Sequence, residues 1–407
     1  MHILMVNHYA VTPDQSGGTR HYTLARELVR QGHTVTVLAC AQHYQGMDSG
    51  IRADTCSELD GVRFLRLTVR GNQHGTVGRV LAMLDFARRV LRSRDNPLAG
   101  KPDVVYGSSP HLFAALAAHR LAQRSRVAFV LEIRDIWPQS IIELGGVSRY
   151  HPMMLAMSAI ERHLYRRADE IVTLLPHSGQ HIREVVGRTD GITVIPNLVD
   201  IDLHGAPAAA DGAQENREHF TVLYAGAHGL ANALDTVIDA AAAAKRQPAK
   251  ADHIRFALLG AGPEKKRLRT RARELNLDNV AFHDPVPKQE VGARLAAADA
   301  FYMPLKASAV FKKGISPNKL FDYMAAARPV IFAVDTPSNP VAACRAGVTI
   351  TPEDGDALLA AAVELASKSA AERRAMGERA RAYVIEHHSP ARMAQHLLSV
   401  LQRAVRS

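Results

Sequence analysis

The sequence predicts an α/β protein in two halves, each a parallel sheet covered by helices, facing one another across a cleft. Three observations carry this. Short, uninterrupted apolar runs alternate with longer helical stretches over most of the chain, and strands without polar alternation belong to sheets covered on both faces. The alternation stops once, from Pro196 to about His219 (PNLVDIDLHGAPAAADGAQENREH), and then starts afresh. The length, 407 residues, exceeds what one core organises and suits two or three domains.

Taken in order, Ile3–Val6 is a first buried strand ended by Asn7 and His8, too short for a signal-peptide core. Thr34–Leu38, Val62–Leu65, Asp103–Tyr106, Val127–Ile133, Glu170–Leu174 and Thr193–Ile195 follow as strands. Helical stretches such as Arg20–Arg30, Leu112–Ala122 and Met153–Arg167 lie between them. The aperiodic Ala-, Pro- and Gly-rich segment reads as a linker, placing one Rossmann-like domain at 1–198, the linker at 199–219 and a second such domain at 220–389. Strands in the second half are Thr221–Tyr224, Arg255–Leu259, Val280–Phe282, Ala300–Met303, Pro329–Ala333 and Val348–Ile350. It closes with helices Asp356–Ser367, Glu372–His387 and Pro390–Val405, the last opened by Ser389-Pro390 as N-cap and first turn.

Composition narrows the function. Hydrophobic residues make up 47% and charged residues 22%, which excludes a disordered or fibrous chain. Lys and Arg outnumber Asp and Glu by 50 to 40, a net charge of +10 that favours anionic partners: a nucleotide, a phosphorylated substrate or an acidic membrane surface. No long polybasic run accompanies it, so no nucleic-acid partner is expected. Cys40, Cys56 and Cys344 form neither a disulfide framework nor a zinc pattern. No run of about 18 apolar residues spans a membrane, and the expected location is the cytoplasm.

Chemistry concentrates in strand-to-helix loops, which in open parallel sheets lie beyond the carboxyl ends of the strands where ligands bind. Gly17-Gly18 precedes a helix whose unpaired N–H groups suit a phosphate, or else the pair only makes a tight turn. The spacing is not a GxGxxG fingerprint, which argues against a nicotinamide enzyme. Leu223–Leu234 (LYAGAHGLANAL) is a second glycine-rich loop, with Asn232 near the helix start. There His228 either donates to phosphate or sugar or caps the helix.

The most specific segment is Phe311–Val330, FKKGISPNKLFDYMAAARPV. Gly314, Ser316, Pro317 and Asn318 precede an amphipathic helix carrying Asp322 about one turn in. Lys319 and Asp322 are placed to pair with each other. Equally, amides of the small-residue loop can hold a diphosphate while the carboxylate chelates ribose hydroxyls. EIRDIWPQS (Glu132–Ser140) ends a strand at the cleft edge. Arg134 and Asp135, beside Trp137, either orient sugar hydroxyls or form a bracing ion pair. Asp200-Ile201-Asp202 spells a metal-binding DxD but lies in the linker, and without a second carboxylate cluster neither metal nor other cofactor is expected. Arg79–Arg94 (RVLAMLDFARRVLRSR) is a basic amphipathic helix that either lies on an anionic membrane or packs on its own domain with a solvated basic face.

The 311–330 segment resembles the signature of family-four retaining glycosyltransferases of the GT-B fold: two acidic residues separated by seven, a Met/Ala/Gly-rich helix end and a PV strand. Asp322 falls on the second acid. The resemblance extends over the whole chain through the GG loop, the PN-x-VD entry at Pro196–Asp200 and the GAGP turn at Gly260–Pro263. SPNKLFDYMAAARPV and EIRDIWPQS look most like the branch that transfers N-acetylated amino sugars, such as N-acetylfucosamine, in bacterial O-antigen and exopolysaccharide assembly.

The resemblance implies a last helix, 390–405, docked on the first domain and Arg134 and Asp135 near the reacting carbon. It also implies a ribose contact at Asp322, phosphate contacts near Gly17, Gly18 and Ser316–Asn318, and a base flanked by the region His283–Val286. Two departures stand out. Gly314 replaces the first acid, and Ala227 and Asn232 stand where the family has the Arg and Lys that neutralise the diphosphate. Lys319, Lys312, Lys313 or Arg134 would then supply the cation, and a 6-deoxy sugar would fit better than glucose or mannose.

The expected activity is metal-independent retaining transfer from a nucleotide-diphosphate sugar, with UDP as the expected nucleotide. The expected acceptor is a lipid-linked glycan at the cytoplasmic face of the membrane. The alternatives are a nucleotide-sugar 2-epimerase on the same fold, or a non-catalytic nucleotide-sugar-binding partner of an assembly complex.

Overall fold

A computed structural model describes residues 1–15, 17–42, 53–70, 75–93, 100–201 and 218–406. Most of the expected linker, 202–217, and the expected helix end at Arg94 lie outside the described residues.

The chain forms two sheets. The first holds β1 (His2–Val6), β2 (Thr34–Cys40), β3 (Thr55–Leu59), β4 (Val62–Leu67), β5 (Val104–Ser108), β6 (Ala128–Ile133), β7 (Glu170–Thr173) and β8 (Ile192–Val194). Their spatial order is β3-β4-β2-β1-β5-β6-β7-β8, and every pairing is parallel except β3 with β4. β3 was not expected from sequence: TCSEL is exposed at every position and carries no buried-strand signal, because an edge strand needs pairing on only one side.

The second sheet holds β9 (Phe220–Ala225), β10 (Ile254–Leu259), β11 (Val280–His283), β12 (Ala300–Pro304), β13 (Val330–Ala333) and β14 (Gly347–Thr349). It is ordered β11-β10-β9-β12-β13-β14 and is wholly parallel.

Each sheet is covered on both faces. In the first, helices Gly75–Arg92, Leu112–Ser125 and Pro152–Arg167 bury Phe86, Ala118 and Leu164 against one face. Helix Arg20–Arg30 and the last helix, Pro390–Arg406, bury Leu24, Leu28, Leu397 and Val400 against the other. The last helix thus lies on the first sheet although the chain has already built the second. Arg403 secures it through Glu170, 3.1 Å away. In the second sheet one layer includes Val237, Leu268 and Leu358, and the opposite layer Leu320, Met324 and Val384.

Strand order reverses direction between β1 and β5 and between β9 and β12. Loops leaving such switch points diverge to opposite faces and open a crevice. The glycine loop after β1, the loop after β9 and the segment after β12 all emerge there.

Candidate functional site

A cleft pocket of about 380 Å³ is lined from both domains. Gly17 and Gly18 come from the first; Gly226 and Asn232, the 259–261 turn, Pro285, Val286 and Lys288, and then Pro317, Asn318, Lys319, Asp322 and Tyr323 come from the second. The walls nearly touch: a Cβ on Gly18 would fall 2.4 Å from Asn318 Nδ2, so only glycine lets Asn318 approach that backbone. Lys288 N also donates to Gln15 O across the cleft, at 3.4 Å.

Helix Asn318–Ala325 begins at the pocket, with Pro317 extended in front of it, so its first N–H groups have no intrahelical partners. Its buried face, Leu320, Phe321 and Met324, anchors it on the sheet. Tyr323 fixes it further, donating its hydroxyl to Ala225 O at 2.9 Å and accepting from Ala225 N at 2.7 Å. The opposite side presents Lys319 and Asp322.

These two do not pair with each other, contrary to their spacing. Asp322 Oδ1 receives Lys288 Nζ at 2.6 Å. Lys319 Nζ reaches the Tyr224 hydroxyl at 2.9 Å and also donates to Asn232 Oδ1. It lies 4.5 Å from the centre of the Tyr224 ring. Burial without an anionic partner pushes the Lys319 pKa down to about 7. Of the other cations considered from sequence, Lys313 is held by Glu184 at 3.2 Å and Lys312 faces Asp335 at 3.8 Å; neither lines the pocket.

Several expected donor contacts lie elsewhere. His228 is fully enclosed, its two ring nitrogens without hydrogen-bond partners among the described residues, and burial lowers its pKa to about 4. Its backbone braces the neighbouring turn through Ala261 O and Glu264 N. Ser316 is used at the domain crossing: its Oγ accepts from Asn197 N at 2.7 Å, and its carbonyl accepts from Asn197 Nδ2. Gly314, at φ +99°, lies against the first domain, where a Cβ would fall 2.6 Å from Pro176 Cδ. Next to it His177 N donates to Lys313 O at 3.0 Å. The glycine that replaces an acid thus serves close domain contact. His283 is exposed at the end of β11, and the pocket wall is formed further on by Pro285, Val286 and Lys288.

On the first domain, Arg134 and Asp135 follow β6 but do not line the pocket. Arg134 N donates to Ser109 Oγ at 2.8 Å. No ion pair joins the two side chains among the described residues, so the bracing pair is not formed. The surrounding protein raises the Asp135 pKa, with Arg134 pulling the other way.

The residue that does brace this wall is Glu132, fully buried, which sequence reading passed over as part of a strand. It accepts from Arg20 Nε at 2.8 Å and the Tyr106 hydroxyl at 2.5 Å on one oxygen. Its other oxygen lies 2.5 Å from Ser108 Oγ and 3.1 Å from His21 Nε2. Desolvation would raise its pKa, but Arg20 and His21 overcome this and hold it well below the usual carboxylate range. Arg20 also donates to Ile195 O and Pro196 O. One carboxylate therefore fixes the helix that follows Gly17-Gly18 to the crossing between domains.

In the DxD, Asp200 is tied to Arg26 at 2.7 Å, while Asp202 lies outside the described residues.

The comparisons with known proteins agree with this geometry. Residues 17–198 match the family described as a glycosyl transferase 4-like domain, and residues 219–368 the family described as glycosyl transferases group 1. The chain belongs to the group 1 glycosyltransferases. This glycosyltransferase is 25% identical over 351 residues to WcaI of Escherichia coli (strain K12), a protein named for glycosyl transfer in colanic acid biosynthesis; the match covers 82% of this chain and 84% of WcaI.

Its fold is GT-B. It superposes on a sucrose-phosphate synthase of Thermosynechococcus elongatus with a TM-score of 0.74 at 18% identity, covering 98% of each chain. Anabaena HepE in complex with UDP and glucose gives 0.71 at 16% identity, covering 99% of each. WaaG, a glycosyltransferase involved in lipopolysaccharide biosynthesis, gives 0.67 at 15% identity, covering 97% of this chain and 98% of WaaG.

Proposed function

We propose that this glycosyltransferase moves a sugar, with retention of configuration, from a UDP-sugar to a hydroxyl of a lipid-linked glycan in bacterial surface-polysaccharide assembly. The observation that carries this reading is the single pocket in which the Gly17–Gly18 backbone, the start of the 318–325 helix, Lys319 and Asp322 converge from two domains. Helix-start amides and an ammonium suit a diphosphate, and Asp322, held by Lys288, suits ribose hydroxyls. HepE, with UDP and glucose bound, supports the nucleotide; the names of WcaI and WaaG support the polysaccharide setting.

Among the described residues Asp322 is the one carboxylate lining the pocket, and it is engaged by Lys288 rather than free to act as a nucleophile. That supports front-face attack, in which the leaving diphosphate accepts the acceptor's proton while the protein supplies position and charge stabilisation. The lack of an acid at Gly314 supports a donor sugar with one hydroxyl fewer, a 6-deoxy sugar, and the likeness of SPNKLFDYMAAARPV and EIRDIWPQS to the amino-sugar branch supports an N-acetylated one.

For the acceptor side, helix Gly75–Arg92 supports contact with a membrane. Ala82, Met83, Phe86 and Val90 face the core, while Val77 (74% exposed), Leu81 (54%) and Leu84 (43%) form an outward apolar stripe continued by exposed Arg88. No helix among the described residues is long and apolar enough to cross a membrane. Binding to vesicles containing anionic lipid is expected, and it should fall at least tenfold in Leu81→Ser/Leu84→Ser; equal binding by the double variant would remove the stripe from the reading.

Calorimetric titration with UDP, GDP, ADP and dTDP in the presence of chelator tests the donor site. Preferential binding of UDP is expected; no binding to any of the four would overturn the donor-cleft reading. Product analysis then separates transfer from the two alternatives, a lengthened glycan against an epimerised donor or no product.

A further inference from the structure

Among the described residues, Lys319 differs from the other lysines at the cleft in having no anion to answer it. Lys288 rests on Asp322, Lys265 on Asp284 and on the Gly260 and His283 carbonyls, and Lys313 on Glu184. Lys319 has the neutral oxygens of Tyr224 and Asn232 and the face of the Tyr224 ring. A charge taken out of water without a counter-charge is costly, yet this one lines the cleft pocket.

We propose that Lys319 is the counter-charge of the donor diphosphate and that its charge is completed on binding, one proton passing from solvent to Nζ as the diphosphate arrives. Asn232 and Tyr224 hold Nζ in place in the meantime, accepting from it. The balance is simple: the amine and a solvent proton give an ammonium, which then pairs with a phosphate oxygen. This rests on the donor-cleft reading above and adds a linkage to it.

The groups facing Lys319 do not confuse the readout. On β9 and its loop, Tyr224 is pushed well above its ordinary pKa and His228 is lowered to about 4. On its own helix, Tyr323 is raised by burial and Asp322 is engaged by Lys288. On the neighbouring helix Lys265 is fixed to Asp284. With the free amine titrating at about 7, and the UDP terminal phosphate fully ionised at pH 8, proton uptake at pH 8 reports Lys319.

The experiment is calorimetric titration of the full chain with UDP at pH 8 in buffers of different ionisation enthalpy. Wild type should take up a substantial fraction of a proton per UDP bound at pH 8, and less at pH 7. Lys319→Arg, charged at all these pH values, should bind UDP with no uptake. Lys319→Met should bind about 30-fold more weakly, again with no uptake. Tight binding by wild type with no proton uptake, or unchanged affinity and uptake in Lys319→Met, would overturn the proposal and leave the donor cleft standing. Failure of wild type to bind any nucleoside diphosphate would overturn the cleft itself, and this proposal with it.

Discussion

On the first-domain wall of the cleft a carboxylate is fully buried and fully answered; on the second-domain wall a lysine is half-buried and meets no anion among the described residues. Glu132 takes four donors from the 20–30 helix, β5 and the end of that strand. Lys319 meets a phenol, an amide oxygen and a ring face. The first arrangement is closed and needs no ligand, so it serves to hold a loop in place. The second is open and gains from an anion, so it serves to bind. Buried charge is therefore not by itself a sign of a binding site; the sign is a charge whose partner is missing and which faces a pocket.

The sharpest way to break this contrast is to open the closed side. Glu132→Gln leaves Arg20 buried without its counter-charge and should cost about 3–5 kcal/mol of stability, measured by chemical denaturation. The pH profile supplies a second check. The folded-state pKa of Glu132 lies below that of the unfolded chain, so its contribution is fully present above about pH 4.5 and is lost as the pH falls through the folded value. Wild type should lose stability over that acid range more steeply than Glu132→Gln; parallel profiles would show that the carboxylate is not the group holding the wall.

The opposite side should respond in binding rather than in folding. Asp322→Ala is expected to weaken UDP binding by about 1–3 kcal/mol, the cost of leaving buried hydroxyls unpaired, with little change in melting temperature because Asp322 is a partly exposed residue at the cleft. Unchanged affinity with an intact circular dichroism spectrum would remove the ribose assignment.

How far the sequence reveals this contrast differs between the walls. The strands read as strands because β1, β5, β9 and β12 are continuous apolar runs, and the crossing at Pro196 shows because periodicity stops there. Among site residues, the pocket-lining Pro317, Asn318, Lys319 and Asp322 stand in one short segment where loop, helix start and carboxylate are adjacent in the chain. Glu132 was missed because its partners lie 24 to 112 positions away, and one acid at the end of an apolar strand carries no local signal. The Lys319–Asp322 pair, one of the two readings of that segment, is not formed for the same reason. Three-residue spacing permits a pair, but Lys288, 34 positions away in sequence, arrives from the start of the helix Lys288–Ala296 and wins the carboxylate.

Ser316 gives the smallest and most discriminating effect, because sequence places it with the phosphate loop and the structure places it at the crossing. Its Oγ accepts the buried Asn197 N–H, and Asn197 O in turn lies 2.8 Å from His388 Nδ1 at the turn into the last helix. Both chain crossings between the domains therefore meet at Asn197, which Ser316 supports. Ser316→Ala removes one acceptor and leaves the Asn197 N–H buried and unpaired, which should cost about 1–2 kcal/mol of stability. UDP affinity should stay within about twofold of wild type, because the Oγ is already spent on the backbone. The opposite pattern, unchanged stability with weakened UDP binding, would return Ser316 to the phosphate loop. It would also mean that Asn197 is held at the crossing without this serine.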